Sequence, residues 1–118
     1  MRKIYYLSTC DTCKRILKEW EPIPEDVTLQ DIKKEALNEE DVTAMYALSG
    51  SYEALFNKRS QLYKQRNLKE QNLTETDIKD LLLEHYTFLK RPVLVLENRI
   101  FVGNSKATVA NAKAALHE

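Results

Sequence analysis

The sequence has no surplus of charge. Its 18 Lys and Arg balance 18 Asp and Glu, for a formal net charge of 0. That argues against nucleic acid as the main ligand, because binding a polyphosphate draws on a basic excess. No apolar run approaches the roughly 20 residues that span a bilayer. The start, Met1-Arg2-Lys3-Ile4-Tyr5-Tyr6, has a basic pair but no long apolar segment of the secretory kind. A cytoplasmic protein with no membrane partner is expected. Cysteine is scarce as well: there are two in 118 residues, too few for a structural disulfide framework. No repeat, linker or low-complexity stretch divides the chain, so 1–118 is read as one domain. The hydrophobic fraction of 43% is enough for a core.

What is present is concentrated near the start. Both cysteines lie in Tyr5-Tyr6-Leu7-Ser8-Thr9-Cys10-Asp11-Thr12-Cys13-Lys14-Arg15-Ile16-Leu17. An apolar run, Lys3 to Leu7, predicts a strand. Cys13, Ile16, Leu17 and Trp20 then recur at helical spacing, so a helix begins near Cys10 or Asp11. Pro22 and Pro24 end it. A thiolate, not a thiol, is the nucleophile. Free N–H groups and the positive end of a helix dipole favour that anion, so the Cys10 pKa should be depressed. Cys13, one turn later, is more covered and suits a resolving thiol. Lys14 and Arg15 add positive charge, and Asp11 opposes it. Two other readings compete: two inert cysteines, one of them in the core, and a zinc site, for which only His85 and His117 remain as further soft donors. His85 reads as a packed histidine on an apolar helix stripe, and no metal is expected.

The rest of the chain supplies a frame. Val27–Gln30 predicts a second strand, parallel to the first through a right-handed crossover. From about Lys33 to Tyr86 only helices are expected. Asn38 and Asp41 cap one that closes at Gly50, Tyr52–Phe56 and Ser60–Arg66 form short turns, and Thr74 and Asp77 start another. Pro92–Leu96 and Arg99–Val102 form a hairpin through Glu97-Asn98, where Asn98 suits a positive φ. Ser105 caps a last helix with Val109, Ala112 and Leu116 inward. The order is β-α-β, a helical insert, then β-β-α. Arg91 stands immediately before Pro92, at the mouth of the third strand. Its guanidinium fork matches oxyanions and carboxylates. By chemistry alone, Phe56-Asn57-Lys58-Arg59-Ser60 is a basic, polar loop.

Taken in order, Ser8-Thr9-Cys10-x-x-Cys13-Lys14, Phe56-Asn57-Lys58-Arg59-Ser60 and Lys90-Arg91-Pro92-Val93, with a hairpin closing at Val102-Gly103, resemble the arsenate-reductase and Spx-like family. The resemblance covers nearly the whole chain. It implies an α/β, thioredoxin-like fold: a four-stranded mixed sheet in the order 2-1-3-4, with an all-helical subdomain inserted at about 33–86. It implies a catalytic Cys10, a resolving Cys13 and an anion-holding Arg91, with Arg59, Thr9, Thr12 and Pro92 completing the substrate site. The substrate would be a small oxyanion or a thiol compound. No bound cofactor is implied, and glutathione or glutaredoxin would be the reductant. The resemblance departs at Gly103, where the reductases carry a third arginine, and near Tyr6, where they carry a histidine. The Spx-like branch implies an alternative, a redox-switched regulator that binds the RNA polymerase α subunit, with Gly50 matching a partner-contacting glycine.

Overall fold

The computed structural model describes residues 1–118. Two compact units form: Met1–Glu35 with Arg91–Glu118, and Ala36–Lys90. The first is a sheet unit. Strand β1 (Arg2–Tyr6) leads to α1 (Asp11–Glu19) and β2 (Thr28–Asp31). After the second unit come β3 (Val93–Leu96), β4 (Arg99–Val102) and the last helix, Lys106–Leu116. The sheet order is β2-β1-β3-β4. β1 runs parallel to β2, with Tyr6 opposite Asp31, and antiparallel to β3, with Tyr5 opposite Val93. This is the mixed sheet expected from the sequence. β1 ends and β2 ends one residue away from the predicted limits, within the usual scatter of element boundaries.

One core cluster holds the sheet unit together. Ile4, Leu94 and Leu96 on the sheet meet Ile16 of α1, Trp20 at its C-cap, and Val109, Ala112 and Leu116 of the last helix. Trp20 is 1% exposed, and its Nε1–H donates to the Val109 carbonyl at 3.1 Å. That bond satisfies the single polar atom of a large apolar group. β3 is buried along its whole length, which accounts for its uninterrupted Val-Leu-Val-Leu.

The second unit is helical. It contains α2 (Glu39–Ser49), α3 (Gln61–Gln65) and α4 (Glu75–Glu84), with 3₁₀ turns at Glu53–Leu55, Leu68–Glu70 and Tyr86–Phe88; the last helix of the chain, Lys106–Leu116, is α5. Both expected capping boxes form. Asn38 and Asp41 exchange side-chain bonds with each other's backbone, as do Thr74 and Asp77. Gly50 closes α2 at φ +78°, a left-handed conformation that favours glycine. The unit runs later in the chain than 33–86. At its start, the Lys34 and Glu35 N–H groups donate to the Asp31 carbonyl and so belong to the sheet unit. At its end, Phe56 bridges Leu89 and the Lys90 N–H donates to the Leu55 carbonyl.

Two local expectations are corrected. His85 does not continue the α4 stripe. The helix ends at Glu84, and His85 turns to extended backbone, where its Nδ1 accepts the Thr87 N–H at 3.0 Å. Its ring acts as a cap acceptor for the following 3₁₀ turn. In the hairpin, the positive φ falls on Glu97 (+52°) rather than on Asn98. Leu96 pairs with Arg99, so the loop has two residues, and tight loops of this kind place a positive φ at their first position.

Candidate active site

The site is built at one end of the sheet, where β1 and β2 finish and β3 begins. Leu7 to Cys10 form a tight turn after β1, closed by the Cys10 N–H donating to the Leu7 carbonyl at 3.1 Å. Cys10 is the N-cap residue of α1, with extended backbone, and its carbonyl accepts the Lys14 N–H at 3.1 Å. Asp11 opens the helix, and Cys13 lies one turn in. Helical spacing therefore puts the two sulfurs on one face. Cys10 is partly exposed and Cys13 is buried, and both are free thiols. The sequence separated the two roles by their position on the helix, and their exposure differs in the same sense.

The electrostatics drive the two thiols apart. Partial burial pushes the Cys10 pKa up, but that is outweighed by the Cys13 N–H and thiol, the Arg91 charge and the Thr12 N–H, leaving it below its ordinary value. Cys10 makes no side-chain cap bond. Burial raises the Cys13 pKa to about 11, the neighbouring Cys10 adds to this, and the Leu7 N–H and Arg91 oppose it. The two pKa values are thus driven apart, leaving Cys10 the more readily ionised thiol and Cys13 the less.

Arg91 and Pro92 belong to the sheet unit. Val93 opposite Tyr5 brings them to the thiol end, and the Arg91–Pro92 bond is cis. The Pro92 carbonyl accepts the Gly103 N–H at 2.9 Å, with Gly103 at φ +91°. The backbone of the hairpin's end is thus used here, and Gly103 brings no side chain to the site. Thr9 is exposed in the turn and Thr12 is half-buried in the first turn of α1. Arg59 lies in the helical unit, exposed, with its N–H donating to Asn57 Oδ1 at 3.0 Å. Cys10, Cys13, Thr9, Thr12, Arg91 and Pro92 therefore share one unit, and Arg59 lies in the other. No group of three His, Cys, Asp or Glu side chains stands ready for a metal ion.

One residue here escaped the sequence reading. Asp31, at the end of β2, accepts the Ser8 N–H at 3.3 Å and the Lys33 N–H at 3.2 Å on Oδ1. Burial acts against its ionisation, but the Ser8 hydroxyl, the two N–H groups and the Lys34 charge hold its carboxyl below the usual range. Its only sequence signal is an acidic residue closing a short polar strand.

A sequence model of the ArsC family matches residues 5–112. The chain belongs to the ArsC family. An uncharacterized protein of Haemophilus influenzae is 30% identical over 106 residues, covering 87% of this chain and 90% of that protein. Among solved structures, a possible arsenate reductase from Streptococcus mutans is 28% identical, with 90% of this chain and 92% of that one covered, at a TM-score of 0.72. The arsenate reductase from Vibrio cholerae is 19% identical, with 94% and 96% covered, and superposes at a TM-score of 0.78. The latter likeness is one of fold. Family membership and the α/β thioredoxin-like fold agree with the resemblance drawn from the three motifs. No helix of this ArsC-family chain is long and apolar enough to cross a membrane.

Proposed function

We propose that this chain is a thiol-dependent reductase whose nucleophile is Cys10. The observation that carries the reading is the opposed pair: Cys10 lowered at the start of α1, and Cys13 raised to about 11 within it. The Cys10 thiolate attacks the central atom of a small oxyanion, arsenate being the best-named case, or a sulfur of a mixed disulfide. With an oxyanion, a bond to Sγ forms as the bond from the central atom to one hydroxyl breaks, and that hydroxyl takes a proton from solvent and leaves as water. A second thiolate, from Cys13 or glutathione, then attacks Cys10 Sγ. The S–S bond forms, and the electron pair of the broken bond stays on the departing atom, which is reduced by two electrons. With a disulfide, each attack forms one S–S bond, breaks another and expels a thiolate. Glutathione or glutaredoxin restores the thiols.

Arg91 stabilises the thiolate and the incoming anion. Thr9, Thr12 and Pro92 line the approach. Gly103 supplies no third arginine, which weakens the case for arsenate more than the case for thiol chemistry. The same thiol pair would serve a redox-switched protein that binds the RNA polymerase α subunit, and the exposed, left-handed Gly50 leaves the end of α2 open to a partner.

The test is a pH titration of thiol reactivity in wild type, Cys10→Ser and Cys13→Ser, paired with turnover of arsenate by glutathione and glutaredoxin. An inflection below the free value of about 8.5 that disappears in Cys10→Ser is expected. An ordinary inflection would sink the reading. Capture of the polymerase α C-terminal domain, lost on reduction and accompanied by no turnover, would replace the enzyme with the switch.

A further inference from the structure

The turn that carries Cys10 is anchored from the neighbouring strand. Tyr6, the last residue of β1, lies opposite Asp31, the last residue of β2. The Ile32 N–H donates to the Tyr6 carbonyl at 2.9 Å, extending the pairing one step further. Asp31 Oδ1 then reaches past the strand end to the Ser8 N–H and folds back on the Lys33 N–H. Ser8 is the second residue of the turn closed by Cys10 and Leu7. Both sulfurs depend on that turn. The Leu7 N–H acts on Cys13, and Cys10 is the point at which the turn enters α1 and faces the Thr12 and Cys13 N–H groups.

We propose that Asp31 is a positioning residue for the thiol pair, holding the Leu7–Cys10 turn so that the Cys10 sulfur meets the first-turn N–H groups of α1. This rests on the reading of Cys10 as the activated nucleophile. The acceptor oxygen carries the role, not the charge, since a carboxylate's negative charge works against a nearby thiolate. Asn keeps an acceptor at the Oδ1 position, and Ala does not.

The experiment follows alkylation of Cys10 by iodoacetamide against pH in the full chain, with the adduct located by mass spectrometry. In Asp31→Ala the inflection moves up toward the ordinary cysteine range, and the rate at pH 7 falls about three- to tenfold. A tenfold loss of thiolate per pKa unit is partly offset by the greater nucleophilicity of the more basic thiolate. Asp31→Asn keeps the inflection at or below its wild-type position. Ser8→Pro removes both Ser8 donors, the N–H and the hydroxyl, at a turn position that accommodates proline and gives the Asp31→Ala shift. A folded Asp31→Ala or Ser8→Pro protein with the wild-type inflection, whatever its melting temperature, overturns the proposal. So does an Asp31→Asn inflection moved up from the wild-type position toward the ordinary cysteine range, which also decides the matter if the other two variants do not fold. An ordinary inflection in wild type itself would count against the nucleophile reading instead.

Discussion

Cys13 is the residue whose burial has the clearest measurable cost. Its pKa is raised to about 11 in the folded chain, against about 8.5 for a free thiol. The folded state therefore resists losing this proton. The associated stability is fully present below the unfolded pKa and is lost as pH rises toward the folded value. Reduced wild type should lose more resistance to urea between pH 9 and pH 11 than Cys13→Ser does. Equal losses would remove Cys13 as the cause. Cys10 has the opposite sign: its lowered pKa gives stability that is fully present above the unfolded pKa and lost as pH falls through the folded one. Arg91 acts on both sulfurs. Arg91→Lys keeps the charge but loses the planar fork, and a drop in turnover of about tenfold or more is expected for a lost anion-holding donor. Turnover near wild type in that variant would count against the role.

At the scale of elements, the helix starts were legible wherever the chemistry is local. Asn38 with Asp41 and Thr74 with Asp77 lie three residues apart, and each pair closes a reciprocal cap. Asn38→Ala and Thr74→Ala should each destabilise the chain by about 1 kcal/mol, read as a lower urea midpoint at unchanged slope. The Cys-x-x-Cys at the head of α1 was legible for the same reason: its helical spacing and its thiols lie within a few residues. Asp31 was not, because its partner Ser8 is 23 positions away in sequence. Only the parallel pairing of β1 with β2 brings them together. His85 was misread because its spacing fits the α4 stripe while its ring is taken up in capping the next turn. Glu97 was misread because residue preference favours Asn98, whereas the two-residue loop puts the demand one position earlier. Arg59 carried weight only through its motif, and its side chain lies in the other unit.

On the scale of the whole molecule, the sheet unit is discontinuous in sequence. β1 pairs with β2 from before the helical unit and with β3 from after it. The site follows the same division, with Cys10 and Cys13 on one segment and Arg91 on the other. A fragment of residues 1–90 would keep both thiols yet lose β3, β4, α5 and Arg91. It would also strip Leu94, Leu96, Val109 and Leu116 from around Trp20. In a Cys10→Ser background, Cys13 of that fragment should be alkylated without denaturant, whereas Cys13 of the full chain, 0% exposed, is protected. Continued protection in the fragment would mean that residues 1–35 hold their own core. The buried Trp20 has a further consequence. It is the only tryptophan in the chain, and it stands seven residues, two helical turns, beyond Cys13 on the same face of α1. Its indole is fixed by the bond to Val109. The protein thus carries its own optical probe, an emitter wired to the helix that bears the thiols and to no other tryptophan. A Cys10–Cys13 disulfide formed by an added oxidant should register as a change in that fluorescence, with no label attached.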